Sequence, residues 1–254
     1  FYHDQIYDKW GNVILPDGKR LKGELFHDES VQKILDSEIT FVSYVKYPRT
    51  YHCFWSGNKN EDDRTLEDYS NFLNKKLIIT KKMDGENTTL YNDYIHARSI
   101  DSSNHFSRNW VKNFWSTIKH DIPEGYRICG ENLYAVHSIK YEDLSSYFYG
   151  FSVWNGSNIC LSWEETLEWF SLLGITPVPV IKSFSVSSIE ELQKECESIN
   201  LNEEKDEGYV VRIAENFSYR DFKKSVFKYV RKNHINTVKH WMFGKEIEKN
   251  EILH

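Results

Sequence analysis

Residues 77–87 read Leu-Ile-Ile-Thr-Lys-Lys-Met-Asp-Gly-Glu-Asn, an apolar run followed by two lysines and a polar turn. The apolar part is typical of a buried strand. Because side chains alternate along a strand, Lys82 and Asp84 share one face and can point into the same cleft. Gly85 permits a tight turn and the close approach of a phosphate to the backbone. The stretch therefore predicts a strand that delivers a lysine and a carboxylate to one site.

A lysine in this position can act as a nucleophile only after its ammonium group loses a proton, since a free lysine is protonated near neutral pH. Partial burial and neighbouring cations lower the pKa of an amine. With Lys81 next door and a bound metal ion to supply positive charge, we expect a lowered pKa at Lys82. The alternative is a surface ion pair between Lys82 and Asp84, which the letters Lys-x-Asp-Gly alone favour because so short a motif recurs by chance.

Further segments predict an irregular alternation of strands and helices. Runs of β-branched and aromatic residues indicate four more strands, at 126–129, 147–154, 209–213 and 226–230. Helices are expected at 29–35, at 106–118, from Ser162 to Gly174, from Ser188 onward and at 236–252. This order favours an α+β fold of mixed or antiparallel sheets flanked by helices over a regular βαβ winding.

The charge balance argues against a chain that coats long nucleic acids non-specifically. There are 32 Lys and Arg against 38 Asp and Glu, a formal net charge of −6. Binding of a polyanion must therefore come from a local basic patch and depend strongly on salt. The candidates are one segment with Arg49 and His52, and one cluster with Lys223, Lys224, Lys228, Arg231, Lys232, His234, Lys239 and His240. The alternatives are an ordinary loop for the first and a solvated helix face for the end of the second.

The cysteine pattern and the hydropathy indicate the compartment. Four cysteines, at 53, 129, 160 and 196, lie far apart and form no Cys-x-x-Cys pair. This spacing argues against a zinc site and a disulfide framework and fits a reducing cytosol. The apolar runs are too short to span a membrane, and the first residues lack the pattern of a secretion signal. We therefore expect a cytoplasmic protein (in the host cytoplasm if the chain is viral) with no membrane partner.

Five further motifs follow the lysine along the chain. They are His96-Ala-Arg98-Ser99, Gly130-Glu131-Asn132-Leu133-Tyr134-Ala135, Tyr147-Phe-Tyr-Gly-Phe151-Ser-Val-Trp154, Glu207-Gly-Tyr-Val-Val-Arg212 and Phe227-Lys228-Tyr-Val-Arg231. Together with Lys82-Met-Asp-Gly85 they resemble, in family order, the motif series of the covalent nucleotidyltransferases, which comprise RNA ligases, DNA ligases and mRNA capping enzymes. One such match can arise by chance, whereas six in the right order are hard to reach by accident.

The resemblance implies a nucleotidyltransferase core, similar to the ATP-grasp fold, around a nucleotide cleft. The site residues that it implies are Lys82 as nucleophile, Asp84 to orient ribose or metal, Arg98 and Lys228 on phosphate, Glu131 and Glu207 as metal ligands, Phe151 on the purine, and Arg231 on phosphate or nucleic acid. Carboxylates can hold Mg²⁺ and its waters against a triphosphate, and cations neutralise the charge on departing pyrophosphate. The implied cofactors are ATP and Mg²⁺ or Mn²⁺.

Within this superfamily, Glu86-Asn87 after the lysine motif is similar to phage-type RNA ligases, and so is Lys-Tyr-Val-Arg-Lys-Asn-His at 228–234. Three positions depart from the usual pattern. Lys81 stands where many RNA ligases have an acid, Ser152 replaces an Asp after the aromatic ring, and Val230 occupies the second basic place of the last motif. The departures bear on base selection and on the second phosphate contact.

The resemblance also predicts the domain organisation. We expect an N-terminal segment at 1–65 packed on the core, a nucleotidyltransferase domain at 66–235, and a helical tail at 236–254. Only 23 residues follow Arg231, too few for the oligonucleotide-binding barrel of DNA ligases and capping enzymes. The sequence therefore predicts either a minimal catalytic core or a ligase whose accessory domain lies outside it.

The expected function is that of an ATP-dependent RNA ligase. It would form lysyl-AMP, adenylate an RNA 5′-phosphate and seal that end to a 3′-hydroxyl, in a single strand or a nicked duplex. A DNA ligase and a GTP-using capping guanylyltransferase are the alternatives among enzymes. A nucleic-acid-binding module that has lost the chemistry is the alternative of another class, although such a module has no need of Lys82, Glu131, Glu207 and Lys228 together.

Overall fold

The computed structural model describes residues 13–14, 20–21, 44–59, 63–102, 104–202, 204–232 and 247–253. Its strands are β1 (Val13–Ile14), β2 (Arg20–Leu21), β3 (Tyr51–His52), β4 (Leu77–Lys81), β5 (Glu86–Leu90), β6 (Ile95–Ala97), β7 (Arg127–Asn132), β8 (Phe148–Trp154), β9 (Ile159–Cys160), β10 (Thr176–Pro177), β11 (Val180–Phe184), β12 (Gly208–Ile213), β13 (Phe217–Ser218) and β14 (Val226–Val230). Its α-helices are α1 (Asn109–Ile118), α2 (Trp163–Leu173), α3 (Ile189–Glu197) and α4 (Phe222–Ser225). The helix predicted at 29–35 lies outside the described residues.

Five strands form one sheet, in the order β11-β4-β12-β14-β3. All neighbours are antiparallel except β14 and β3, which run parallel. In this register Thr80 lies opposite Val210, and Val210 lies opposite Lys228. Paired residues share a face, and so do residues two apart in a strand. Lys82 and Lys228 therefore project from the same side of the sheet.

A second, seven-stranded sheet has the order β13-β9-β8-β7-β5-β6, with β10 parallel to β8. Between β7 and β8 the register pairs Cys129 with Ser152 and Gly130 with Gly150, which leaves Phe151 as an extra residue in a β-bulge. A bulge bends a strand and changes the direction of a side chain. The strands predicted at 147–154, 209–213 and 226–230 are confirmed within one residue at each end. The strand predicted at 126–129 is also confirmed, but it runs three residues further, to Asn132, and the α+β class is confirmed.

The apolar run in β4 is buried on both faces because its alternate residues enter different clusters. Leu77 and Ile79 belong to a cluster behind the five-stranded sheet, with Phe72, Tyr209 and Phe227. Ile78 belongs to a cluster that reaches toward the other sheet, and Met83 joins it after the strand. Burial of a large apolar side chain contributes roughly 1.5–3 kcal/mol. The continuous apolar sequence of β4 therefore fixes this strand in the interior of the molecule, and the polar turn after it lies at the edge of the cleft.

Both predicted helix starts are confirmed. Ser162 caps α2 by accepting a hydrogen bond from the N–H of Glu165, whose carboxylate accepts one from the N–H of Ser162 in return. Ser188 caps α3 by accepting from the N–H of Glu191. Each such cap stabilises its helix by about 1 kcal/mol. Gly174 ends α2 with a φ of 64°, in the left-handed region that favours glycine. None of the helices in the described part of the chain is long and apolar enough to cross a membrane.

The helix predicted at 236–252 is wrong for the residues that the structure describes there. Residues 247–253 are extended, and residues 236–246 lie outside the described part. Lys249 forms a bridge with Ala135, and Ile252 forms one with Leu144. These long-range hydrogen bonds satisfy backbone groups that a helix would have paired locally. The predicted helical tail is therefore an extended strap in its final part.

Candidate active site

Lys82, the predicted nucleophile, stands at the end of β4, where β12 begins alongside. Its backbone N–H donates to the carbonyl of Gly208 at 3.0 Å. Its Nζ donates to Oε2 of Glu207 at 2.5 Å. Gly208 permits the close packing here, because a Cβ on it would lie 2.0 Å from the carbonyl oxygen of Tyr229 on β14. The Glu-Gly pair before β12 therefore supplies both an acid for the lysine and the space that the strand needs.

The charges around Lys82 hold it as a cation. Burial lowers its pKa, but the negative charges of Glu207 and Glu131 outweigh burial and raise the pKa above its ordinary value. Lys81 does not supply the expected positive field, because its Nζ pairs with Oδ1 of Asp206 at 2.6 Å. The prediction that Lys81 lowers the pKa of Lys82 is therefore wrong in this geometry. The amine must pass a proton to an acceptor before it can attack, and Glu207 lies within hydrogen-bonding distance.

Glu131, on β7, is a second carboxylate near Lys82. Burial raises its pKa to about 8; the positive charge of Lys82 opposes this rise, and the negative charge of Glu207 adds to it. The backbone N–H of Gly85 also donates to Glu131. A buried carboxyl group of this kind takes up a proton or a cation rather than remaining ionised alone.

The donor set fits a magnesium ion shared with phosphates rather than a cage built by protein alone. Within the described ranges, no group of three or more His, Cys, Asp or Glu side chains is arranged to hold a metal ion. The site has two carboxylates, those of Glu207 and Glu131, whose negative charges raise the pKa of Lys82. Magnesium commonly uses one or two carboxylates, with waters and substrate phosphates as its other ligands. These residues therefore suit the metal that the resemblance implies.

Asp84 is held by the loop between β7 and β8. Its Oδ2 accepts hydrogen bonds from the N–H of Ser138 at 2.8 Å, the hydroxyl of Ser138 at 2.6 Å and the N–H of Ile139 at 2.9 Å. Burial raises the pKa of Asp84, but the bonds from Ser138 outweigh it and hold the pKa below its ordinary value. Oδ2 therefore anchors the turn after Lys82 to this loop, a role that the sequence did not predict.

Lys228 faces the cleft from β14, next to a carboxylate that the sequence did not identify. Its Nζ lies 3.6 Å from Oδ1 of Asp63. Burial lowers the pKa of Lys228; Asp63 opposes this, and the charge of Lys82 lowers the pKa further. The other oxygen of Asp63 lies 3.3 Å from Nε2 of His52. Asp63 therefore belongs to the site, although no motif in the sequence singled it out.

The prediction that His52 contacts nucleic acid is wrong, because its side chain is buried. Only 2% of the residue is exposed. Nδ1 lies 2.8 Å from the hydroxyl oxygen of Ser56, and Nε2 lies beside Asp63. Burial and the nearby charge of Lys228 lower the pKa of His52 to about 4, so its ring is neutral at neutral pH. In this geometry His52 supports Asp63 from behind the site.

Phe151 reaches the cleft because of the bulge in β8. Its ring contacts the ring of Tyr47 edge-on, with 5.1 Å between centroids. The next residue, Ser152, is buried, and its hydroxyl accepts a hydrogen bond from the indole N–H of Trp154 at 3.1 Å. The bulge therefore presents Phe151 to the cleft while Ser152 bonds within the core.

A cavity of about 730 Å³ between the two sheets gathers most of the predicted site. Its lining includes the predicted residues Arg49, Lys82, Arg98, Glu131, Phe151 and Lys228. It also includes Asp63, Asn87, His137, Glu86 and Arg108, which sequence reasoning missed. Asn87 lies directly opposite Glu131 in the sheet, so strand pairing would have found it. Asp63 and His137 lie in loops, which carry no periodic signal.

Comparison with known sequences identifies the family of this chain. A family model described as RNA ligase matches residues 75–230, which is more than half of the chain. The chain belongs to the RNA ligase family. The matched range contains Lys82, Glu131, Glu207 and Lys228, whereas Arg231 lies one residue beyond it.

Solved structures show that this member of the RNA ligase family shares its fold with an archaeal ATP-dependent RNA ligase. Their sequences are 15% identical, the match covers 74% of this chain and 48% of the other, and the TM-score is 0.51. A putative ATP-dependent DNA ligase from Aquifex aeolicus (18% identical, 74% and 50% covered, TM-score 0.48) and a Naegleria gruberi RNA ligase with PPi (15% identical, 87% and 73% covered, TM-score 0.46) are also similar. The chain spans about half the length of the first two. No curated protein matches it.

Arg231 does not line the main cavity, contrary to the expectation that it joins the nucleotide site. Lys228 and Arg231 are three residues apart, an odd spacing that directs their side chains to opposite faces of the sheet. Nε of Arg231 donates to the carbonyl of Asp206 at 2.6 Å. The residue lines a separate pocket of about 310 Å³ with Trp55 and Tyr229. The prediction that Arg231 contacts ATP is therefore wrong.

The basic cluster predicted to bind nucleic acid is divided between different places. Lys223 and Lys224 lie exposed on α4, and Lys224 lines a polar depression that also contains Asp68, Glu215 and Asp221. Lys232 lines the pocket that contains Arg231. His234 lies outside the described residues. Arg49 is the predicted nucleic-acid residue that lines the main cavity, where its side chain is exposed.

Proposed function

We propose that this chain is the catalytic part of an ATP-dependent RNA ligase that carries the transferred nucleotide on Lys82. The observation that carries the proposal is the 2.5 Å contact between Nζ of Lys82 and Oε2 of Glu207 beside the cavity. A lysine nucleophile needs a proton acceptor within reach, and a cavity of about 730 Å³ suits a nucleotide. Membership of the RNA ligase family supports the reaction class.

In the first step, Lys82 transfers a proton to Glu207 and its amine attacks the α-phosphorus of ATP. A nitrogen–phosphorus bond forms while the bond from the α-phosphorus to the bridging oxygen of the β-phosphate breaks. Pyrophosphate leaves with that electron pair, and AMP stays on the lysine as a phosphoramidate. The step needs no further reactant, because Glu207 takes the proton and the leaving group takes the electrons.

The cations of the cavity would stabilise the charge that develops on the departing phosphates. Lys228 projects from the same sheet face as Lys82, and Arg98 and Arg49 line the same cavity. Fixed positive charges lower the barrier most where water is excluded. Asp63, next to Lys228, holds this ammonium in the cleft before the nucleotide arrives.

Glu131 and Glu207 would hold Mg²⁺ or Mn²⁺, which supplies charge neutralisation on the triphosphate when bound. Glu131 must then be ionised, although burial raises its pKa to about 8. Binding of metal at neutral pH would therefore release a proton from this carboxyl group. Its backbone bond from Gly85 keeps the carboxylate beside the lysine turn.

Phe151 would stack on the base of the nucleotide. Its ring lines the cavity, and the edge-on contact with Tyr47 fixes the direction in which its faces point. Contact between aromatic rings suits any purine. The choice of ATP over GTP must therefore come from groups at the rim of the base.

The last two steps would act on RNA ends, in a single strand or a nicked duplex. AMP passes from Lys82 to a 5′-phosphate, and a 3′-hydroxyl then displaces AMP to form the phosphodiester. Arg49 is exposed at the cavity and is the best placed of the predicted nucleic-acid residues to meet the 5′-phosphate. Arginine suits this task because its planar guanidinium can make paired hydrogen bonds to phosphate.

The test is incubation with ATP labelled at the α-phosphate, followed by acid and alkali treatment of the protein. We expect label that is lost in acid and stable in alkali, and its complete loss in Lys82→Ala. Lys81→Ala is the matched control, because it removes the neighbouring lysine and its pair with Asp206. Equal labelling of Lys82→Ala and the parent protein would contradict the proposal.

The same assay separates the alternatives. Label from GTP instead of ATP would indicate a capping guanylyltransferase, and sealing of DNA in preference to RNA would indicate a DNA ligase. Binding of nucleotide without any label on the parent protein would indicate a module that has lost the chemistry. We expect ATP to label the protein and RNA with a 5′-phosphate to discharge that label.

A further inference from the structure

The described end of the chain, residues 247–253, packs as a strap across the loop between β7 and β8. The N–H of Val136 donates to the carbonyl of Glu248, and the N–H of Leu144 donates to the carbonyl of Glu251, at 2.9 Å and 3.0 Å. In the other direction, the N–H of Glu251 donates to the carbonyl of Tyr141 at 2.9 Å. The strap therefore holds this loop along most of its length.

One side chain, that of Asn250, makes the central contacts of the strap. It is buried, with 1% of its surface exposed. Its Oδ1 accepts from the N–H of Tyr141 at 2.7 Å, and its Nδ2 donates to the carbonyls of Leu133 at 2.8 Å and Ala135 at 3.3 Å. The carboxamide therefore bonds both ends of the segment 133–141, which no other kind of side chain of this size could do with one acceptor and two donors.

The same segment holds the turn that follows Lys82. The hydroxyl of Tyr141 accepts from the N–H of Asp84 at 3.0 Å, and Ser138 and Ile139 donate to its carboxylate. Tyr141 thus bonds Asn250 through its backbone and Asp84 through its side chain. A single residue separates the strap from the lysine motif.

A second contact joins the turn to the region that Asn250 holds. A Cβ on Gly85 would lie 2.6 Å from the carbonyl oxygen of Asn132 and 2.6 Å from Cδ2 of Leu133. The turn therefore presses directly against the residue whose carbonyl accepts from Asn250. Displacement of the segment 133–141 would move Asp84 and Gly85 together.

We propose that the strap at 247–253 is a positioning element of the nucleotidyl-transfer site and acts through Asn250, Tyr141 and Asp84. This inference rests on the proposed function of Lys82. Asn250 is not one of the residues that line the cavity; it fixes the turn that sets where the Lys82 amine points. A displacement of a reacting group by about 1 Å can cost on the order of a hundredfold in rate.

The experiment compares Asn250→Ala, Tyr141→Phe and the double variant in single-turnover transfer of AMP to Lys82. We expect Asn250→Ala to lower the transfer rate roughly tenfold to a hundredfold, with a change in KM for ATP below about threefold. Tyr141→Phe keeps the ring and loses only the hydroxyl, so it serves if Asn250→Ala fails to fold. The double variant should lose little more than Asn250→Ala alone, because both changes break one chain of contacts.

Amide hydrogen exchange gives a readout that does not depend on activity. In Asn250→Ala we expect exchange at Ser138 and Ile139 to rise on the order of tenfold while exchange in β4 and β12 is unchanged. Glu248→Gln is the matched control, because it changes an exposed residue of the same strap that pairs with Lys140 at the surface; rate and exchange should both stay at the parent values.

Two results would overturn the inference. One is unchanged exchange at Ser138 and Ile139 in Asn250→Ala, and the other is strictly additive losses in the double variant. If the parent protein carried no label on Lys82, the proposed function would fail, and the exchange result alone would still decide whether the strap holds the turn.

Discussion

Two neighbouring ion pairs at the edge of the cleft use the same residue types in different surroundings. At the end of β4, Lys81 pairs with Asp206 at 2.6 Å and Lys82 pairs with Glu207 at 2.5 Å. Two consecutive lysines thus meet two consecutive acids that precede β12. By residue type and distance alone, either lysine could be the nucleophile.

The surroundings of each pair decide its role. Asp206 is bonded into its own loop, since its Oδ2 accepts from the N–H of Asn202 at 2.8 Å and its carbonyl accepts from Arg231. Glu207, which is buried, instead shares Lys82 with a second, partly buried carboxylate, that of Glu131. A lysine beside two carboxylates can give up a proton to one of them and still remain next to the other. Both lysines line the cavity, so the second acid, and not the cavity or the ion pair alone, distinguishes Lys82.

The largest expected effect is a difference between the two acids. Glu207→Gln removes the proton acceptor of Lys82, and loss of such an acceptor costs roughly 10²–10⁴ in rate. Asp206→Asn, the matched control, should lower the rate less than about tenfold, because Asp206 contacts the neighbouring lysine. Single-turnover transfer of AMP measures both. Equal losses of rate in the two variants would contradict a special role for Glu207 in the transfer of AMP to Lys82.

A third lysine–acid pair, Lys228 with Asp63, extends the comparison, because the stability of its surroundings should depend on pH. Lys228 and His52 share Asp63, and His52 has a pKa of about 4 in the folded protein. In the unfolded chain a histidine protonates near pH 6.5. The stability that neutral His52 contributes is therefore complete above about pH 6.5 and is lost as the pH falls toward 4, a change on the order of 1–3 kcal/mol.

The free energy of unfolding of the parent and of His52→Gln, measured at pH 7 and pH 4.5, tests this prediction. The parent should lose more stability between the two values than the variant, whose side chain does not titrate. Asp68→Asn is a suitable control, because Asp68 is exposed and lies outside the cavity. The same pH dependence in parent and variant would contradict the assignment of a buried, neutral His52.

Features set by nearby residues could be predicted from the sequence. The apolar run of β4 fixed its strand, and Ser162 with Glu165 fixed the start of α2, because both depend on neighbours within a few positions. The order of six motifs located Lys82, Glu131 and Glu207. The prediction that these three residues lie in one site came from the resemblance and not from any local pattern.

Features set by distant residues could not be predicted in this way. The raised pKa of Lys82 depends on Glu207 and Glu131, which are 125 and 49 positions further along the chain. The helix expected at 236–252 failed at its end because Asn250 bonds a loop more than a hundred residues earlier. The position of Arg231 could have been predicted from the alternation of side chains along a strand, because its odd spacing from Lys228 places it on the opposite face.

The smallest expected effect is the coupling within the outer pair, Lys81 and Asp206. Their side chains are 24% and 17% exposed, and pairs open to water are typically worth about 0.2–1 kcal/mol. A double-mutant cycle with Lys81→Ala and Asp206→Ala, measured as the free energy of unfolding, should give a coupling in this range. The cycle with Lys82→Ala and Glu207→Ala should give a larger value, because the side chain of Glu207 is only 9% exposed, against 17% for Asp206, and is screened less by water. Equal couplings would mean that the two pairs have the same surroundings, and the distinction between a structural pair and a catalytic pair would then lose its support, because both lysines line the cavity.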